Sequence, residues 1–183
     1  MAKYYKEREF RIPLTEVYRI DSARKDLKGK TLDKCVYKNY EETMVTEKTR
    51  SNIEQKFEYY CNACKAINWF YKNGDKGDKY FSIAYRTGFG QVSLFYPDYI
   101  VKMADDSVWI IETKGGERYG HSDNIDQMSP IKFDAFKKYV ELRHPEIKWG
   151  FVRDIGETLF FNNTEWTEAI AGSDKWVPLT EVF

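Results

Sequence analysis

Apolar residues recur at two spacings along the chain, and the switch between them predicts the order of its elements. Ile53, Phe57, Tyr60, Cys64 and Ile67 follow three- and four-residue steps, which predicts one helical face from Ser51 to about Trp69. Ser51 with Glu54 three residues on is a capping box at its start. A second helix is predicted from Ser129-Pro130, with the serine as cap and the proline at the first helical position. Ile131, Phe133, Phe136, Tyr139 and Val140 form most of its buried stripe, Lys132, Lys137 and Lys138 fall outside it, and Pro145 ends it.

Between and after the helices the period shortens. Trp69-Phe70-Tyr71 runs into the turn-like segment Lys72 to Asp78. Tyr80 to Tyr85 predicts a strand, Thr87 to Gln91 a glycine-bearing reversal, and Val92 to Phe95 a lead-in to a further hairpin, together an antiparallel β-meander. No helix follows Gly88 and Gly90, so they are no phosphate-binding fingerprint. In that further hairpin Tyr99-Ile100-Val101 and Val108 to Ile111 flank the polar turn Ala104 to Ser107. Ile147 to Val152 and Glu157 to Phe161 predict a last hairpin through Asp154-Ile155-Gly156, and Trp176 to Leu179 packs the C-terminus down. Before Arg50 the pattern is weak: Glu9 to Ile12 and Lys34 to Tyr37 suit short strands, and Asp21 to Lys34, with five Lys or Arg, reads as a solvated linker. The expectation is an α/β (α+β) fold, a central mixed sheet with an antiparallel meander flanked by helices, over residues 51–183, with residues 1–50 as an N-terminal arm.

The 183-residue length suits one domain, and 17% aromatic residues with 32% charged ones suit a folded chain with aromatic-rich sheets. Lys plus Arg and Asp plus Glu balance at 29 each, which removes any global basic field and leaves a grip on nucleic acid to local features. With no long apolar run and no apolar stretch after MAKYYKEREF, a cytoplasmic protein without membrane partners is expected. Cys35, Cys61 and Cys64 are an odd number, which fits free thiols in a reducing compartment.

Candidate chemistry concentrates in Tyr96 to Gly116. Glu112 and Lys114, two apart on a strand, share a face, with Thr113 opposite. A three-residue loop at Ala104 to Asp106 pairs Met103 with Ser107 and brings Asp98 opposite Glu112, whereas a two-residue loop pairs Asp98 with Thr113. Two carboxylates and the Thr113 carbonyl are hard oxygen ligands suited to Mg²⁺, and Lys114 beside them suits stabilisation of charge on a phosphoryl group. Glycines at 115 and 116 would allow close backbone approach, and the irregular segment from Gly115 to Asp123 suits a mobile active-site loop. A Glu-x-Lys pair on a solvent face is the bland alternative. The strand that carries it, Val108-Trp109-Ile110-Ile111, is apolar on both faces and therefore central, so emergent charges there need a reason.

Pro97-Asp98, thirteen intervening residues and Glu112-Thr113-Lys114 resemble the PD-(D/E)XK nuclease motif. Ser51-x-x-Glu54-x-x-Phe57, Phe95 to Asp98, Glu112 to Gly115 and Trp176-x-Pro178-Leu179 further resemble the C-terminal endonuclease domain of the type III restriction enzyme Res subunit, over roughly residues 50 to 183. The resemblance implies a DNA endonuclease using Mg²⁺, for which Mn²⁺ may substitute, with catalytic residues Glu54, Asp98, Glu112 and Lys114: Asp98 and Glu112 as metal ligands joined by Thr113, Lys114 as the catalytic lysine, and Glu54 as the carboxylate that the first helix brings to the metal. It implies as partners DNA, a helicase or translocase domain and a methylation or specificity subunit; no Walker-type segment is present in these residues. Two alternatives stand beside it. One is a zinc site from Cys61-x-x-Cys64 with Cys35, His121 and His144, although the cysteine pair falls within a helical apolar pattern that suits buried thiols better. The other is a catalytically silent nuclease-fold module for DNA binding or docking in a restriction or repair complex.

Overall fold

Helix α1 (Asn52–Ala63) opens on the capping box that its sequence predicts. The Ser51 side chain accepts from the Glu54 backbone N–H at 3.3 Å, and Glu54 Oε2 accepts from the Ser51 N–H at 2.7 Å. The computed structural model describes residues 24–25, 31–36, 51–74, 80–119, 121–122 and 125–183. Before α1 lie β1 (Arg24–Lys25), β2 (Thr31–Leu32) and β3 (Cys35–Val36); after it come β4 (Ile67–Lys72), β5 (Ile83–Arg86), β6 (Val92–Phe95), β7 (Tyr99–Met103) and β8 (Val108–Thr113). Then follow β9 (Glu117–Arg118), β10 (His121–Ser122), helix α2 (Ser129–Arg143), β11 (Lys148–Ile155), β12 (Thr158–Asn162), β13 (Val177–Pro178) and a 3₁₀ turn, Leu179–Glu181.

The main sheet is mixed. β4, β7 and β8 run antiparallel in spatial succession, β11 joins β8 in parallel, β3 joins β4 in parallel, and β12 returns antiparallel on β11 with β13 beside it. Alternation along the central strands divides the core. Tyr99, Val101, Trp109 and Ile111 pack with Ile53, Phe57 and Cys61 of α1, while Ile100 and Ile110 pack with Phe133, Phe136 and Val140 of α2. Helices therefore cover both faces of one sheet. Gly150 of β11 is required on the α1 side, since a Cβ there would lie 2.1 Å from the Phe161 ring.

Five expectations need correction. The helical period does not run on to Trp69: Cys64 is extended (φ −69°, ψ 121°) and Ile67 begins β4. Ile67 joins the buried cluster of Phe57, so the apolar period carries on past the helix end, whereas Ile67 and the aromatic run Trp69-Phe70-Tyr71 suit a strand. The antiparallel meander is only partly present. β5 and β6 pair with each other as a separate hairpin against α2, and the place beside β7 is taken by β4, with parallel pairs elsewhere.

Ser129 does not cap α2. It is buried, its hydroxyl donates to Asp126 Oδ1 at 3.3 Å, and Asp126 also accepts from the Met128 N–H at 2.8 Å. Gly115 to Asp123 is not wholly irregular, because β9 and β10 pair within it and Glu117 lies opposite Ile155 of β11. The last hairpin turns one step later than expected, with Asp154 and Ile155 still in β11 and Gly156 (φ 57°) in the turn. Trp176 and Leu179 are buried as expected. Within the predicted linker, β1 pairs with β2; Glu9 to Ile12 lies outside the described residues. No helix among the described residues is long and apolar enough to cross a membrane.

Candidate active site

The hairpin of β7 and β8 takes the three-residue loop. Tyr99 faces Ile111, Ile100 faces Ile110, Val101 faces Trp109 and Lys102 faces Val108, while the Met103 N–H donates to Ser107 O at 2.9 Å. Continued by one residue, this register places Asp98 opposite Glu112. Asp106 closes the loop in the left-handed region at φ 68°, the conformation that a three-residue hairpin loop needs.

Asp98 is held from three sides. Its Oδ2 accepts from the Thr113 backbone N–H at 2.8 Å and from the Thr113 hydroxyl at 2.7 Å, and its Oδ1 lies 2.5 Å from Lys72 Nζ. Its main chain is fixed by Asn73, which the sequence reading left in a turn. The Asn73 N–H donates to Asp98 O at 2.7 Å, and its buried side-chain amide donates to Phe81 O and Pro97 O at 2.8 and 2.9 Å. Burial alone would raise the Asp98 pKa, but the Lys72 ammonium, Lys114 and the Thr113 hydroxyl together hold it below the ordinary carboxylate range.

Glu112 is buried near the end of β8, with Lys114 Nζ 2.6 Å from its Oε1. Its Oε2 is buried without a hydrogen-bond partner. Burial, and next the Asp98 charge, push Glu112 up to about 8 against the opposing pull of Lys114. Burial alone would lower Lys114, but the Glu112 and Asp98 carboxylates raise it and keep it charged. The Lys114 N–H donates to Val152 O at 3.0 Å, so β11 extends the frame under this lysine.

Glu54 keeps its capping role and adds an ion pair to it. While Oε2 caps α1, Oε1 lies 2.6 Å from Lys72 Nζ. Glu54 and Asp98 are thus joined through Lys72 and not directly. Burial alone would lower Lys72, yet its two carboxylate partners raise it. Sequence reasoning missed Lys72 because it opens the turn-like segment Lys72 to Asp78, where a charged residue needs no partner. Placed in β4 it falls opposite Tyr99, with its ammonium 4.8 Å from that ring.

The remaining candidates serve elsewhere. Gly116 makes a close approach, but to the protein itself: a Cβ there would lie 2.0 Å from Asp154 O. Gly115 O accepts from the buried Arg153 at 2.8 Å. Cys35, Cys61 and Cys64 form no disulfide among the described residues, and the first two are buried. His144 pairs with Glu146 at 3.1 Å and stacks near Tyr139. Among the described residues no group of three or more His, Cys, Asp or Glu side chains is arranged to hold a metal ion.

Compared with known proteins, the chain matches no family model, no curated protein and no solved structure.

Proposed function

We propose that the chain is a Mg²⁺-dependent DNA endonuclease of the PD-(D/E)XK type. The observation that carries this reading is the register of the central hairpin. It sets Asp98 opposite Glu112, with Lys114 on Glu112 and Glu54 tied to Asp98 through Lys72. A helix, three antiparallel strands, a second helix and a parallel strand, in that order, form the frame, which agrees with a restriction-endonuclease-like fold.

The donor set fits a hard divalent cation. Asp98 and Glu112, the latter once ionised, would hold such an ion together with the Thr113 carbonyl, and the partnerless Glu112 Oε2 is a buried oxygen of the kind a cation satisfies. Mn²⁺ suits the same oxygens. Bound there, such an ion supplies charge neutralisation at the phosphate and a water acidified toward neutral pH. Lys114, kept protonated between Glu112 and Asp98, offsets negative charge developing on the phosphoryl oxygens. Thr113 holds Asp98 from its hydroxyl and its N–H together, so the carboxylate is oriented before substrate arrives.

The test is cleavage of supercoiled and linear DNA across a Mg²⁺ and Mn²⁺ titration by wild type, Asp98→Ala and Lys114→Ala. Wild type is expected to cut and both variants to lose activity by about 10²-fold or more. If wild type at high concentration cuts no faster than the variants, the reading is wrong for this chain. A second reading, a silent nuclease-fold module for docking or DNA binding, is favoured by the bridging of Glu54 and Asp98 by Lys72; it predicts binding without cutting in the same assay. A helicase or translocase domain and a methylation subunit are the partners proposed for the active form.

A further inference from the structure

Lys72 makes contacts unlike those of a surface lysine. Its ammonium lies 2.6 Å from Glu54 Oε1 and 2.5 Å from Asp98 Oδ1, so one cation closes two carboxylates delivered by α1 and by the turn before β7. Its side chain is only 12% exposed, and the ammonium rests 4.8 Å from the Tyr99 ring, itself packed against Phe57 and Phe70. At the other end of the pair, Glu112 Oε2 is buried and partnerless. The described site therefore has one carboxylate, Asp98, fully engaged by the protein, and another, Glu112, with an oxygen left over.

We propose that Lys72 is a built-in counter-cation that competes with the divalent ion for Asp98, so that metal binding requires its ammonium to leave Asp98 Oδ1. The inference rests on the metal-dependent reading of the site. An ammonium and a divalent cation on neighbouring oxygens of one partly buried carboxylate repel strongly, so they cannot both occupy contact positions at full strength. Glu54 gives the displaced lysine somewhere to go. Its Oε1 already binds Lys72, and its Oε2 is anchored at the α1 cap, so Lys72 can swing onto Glu54 alone without becoming a buried, unpaired charge. Lys72 is thus a positioning residue that holds Asp98 before metal arrives and sets the threshold at which metal binds.

The experiment is direct Mn²⁺ binding, followed by the electron paramagnetic resonance signal of the free ion, on full-length wild type, Lys72→Met, Lys72→Arg and Asp98→Asn, with circular dichroism to establish folding. Lys72→Met should bind Mn²⁺ at least about tenfold more tightly than wild type, because a competing charge has gone. Lys72→Arg should bind more weakly than wild type, because a guanidinium holds carboxylates in a fork that is harder to displace. Binding by Lys72→Met alone, with none by wild type, also supports the inference. Equal affinity in wild type and Lys72→Met, lost in both cases when Asp98→Asn is added, leaves the metal reading intact and overturns the role of Lys72. No Asp98-dependent binding by wild type or by Lys72→Met overturns the metal reading and the inference with it. If Lys72→Met does not fold, Lys72→Arg decides: binding as tight as wild type or tighter overturns the inference.

Discussion

Asp98 and Thr113 are joined twice, since the backbone N–H and the hydroxyl of the threonine both donate to Asp98 Oδ2, at 2.8 and 2.7 Å. The carboxylate is therefore tied to the strand that carries Glu112, one residue past the position it faces in the hairpin register. Thr113→Val keeps the backbone bond and removes the hydroxyl, and should lower stability by about 1 kcal/mol in urea unfolding. Asp98→Ala should cost more, because it strips both Thr113 donors and one carboxylate of Lys72. A Thr113→Val variant as stable as wild type would show that Thr113 contributes nothing through its hydroxyl.

The register depends on Asp106. Its φ of 68° is strained for most residues and relaxed for glycine, and its ion pair with Lys102 is exposed at the Asp106 end and worth little. Asp106→Gly should leave stability unchanged or slightly raised, while Asp106→Val should cost about 1–2 kcal/mol. Thermal unfolding of both variants checks this. A Val variant as stable as the Gly variant would mean that the loop does not enforce its left-handed closing residue.

Stability should fall with rising pH through neutrality, and Glu112 should be the cause. The unfolded chain loses this proton near its ordinary value of 4.5, but the folded protein keeps it to about 8, so between those values the native state binds more protons. The contribution is fully present below the unfolded value and is lost as pH rises through the folded one. Asp98, lowered from 3.8, loses its contribution only as pH falls into the acid range; Lys114, raised from 10.5, loses its own only in strong alkali. Glu112→Gln should therefore flatten the dependence of unfolding free energy on pH between about pH 5 and pH 8. A variant with the wild-type slope would assign the effect to another group.

The hairpin at the centre of the site was legible because two constraints agree there: apolar runs on both sides and a polar turn between them. The two flanking helices were legible from their stripes. Lys72 and Asn73 were not, because their roles depend on β4 lying next to β7, and the apolar period alone does not distinguish a strand at Ile67 from one more helical turn. The separate β5–β6 hairpin escaped for a related reason. Alternation identifies a strand but not its neighbour, and the place beside β7 went to β4, which buries Phe70 toward one helix and Tyr71 toward the other.

Asn73 gives the sharpest separation between framework and chemistry, because it touches the Pro97-Asp98 backbone but not the Asp98 carboxylate. Its side-chain amide donates to Phe81 O and Pro97 O, its Oδ1 accepts from the Phe81 N–H at 3.2 Å, and it is buried. Truncation leaves three backbone groups in the interior without these partners, so Asn73→Ala should lower stability by about 2–4 kcal/mol. The main-chain bond from the Asn73 N–H to Asp98 O survives the substitution, so Asp98 should loosen without being lost. DNA cleavage should then fall less than in Asp98→Ala, and the deficit should shrink as Mn²⁺ is raised, since a bound cation re-orders the carboxylate. A variant with wild-type stability, or one whose activity loss matches Asp98→Ala at every metal concentration, would show that Asn73 is not the clasp that positions this turn.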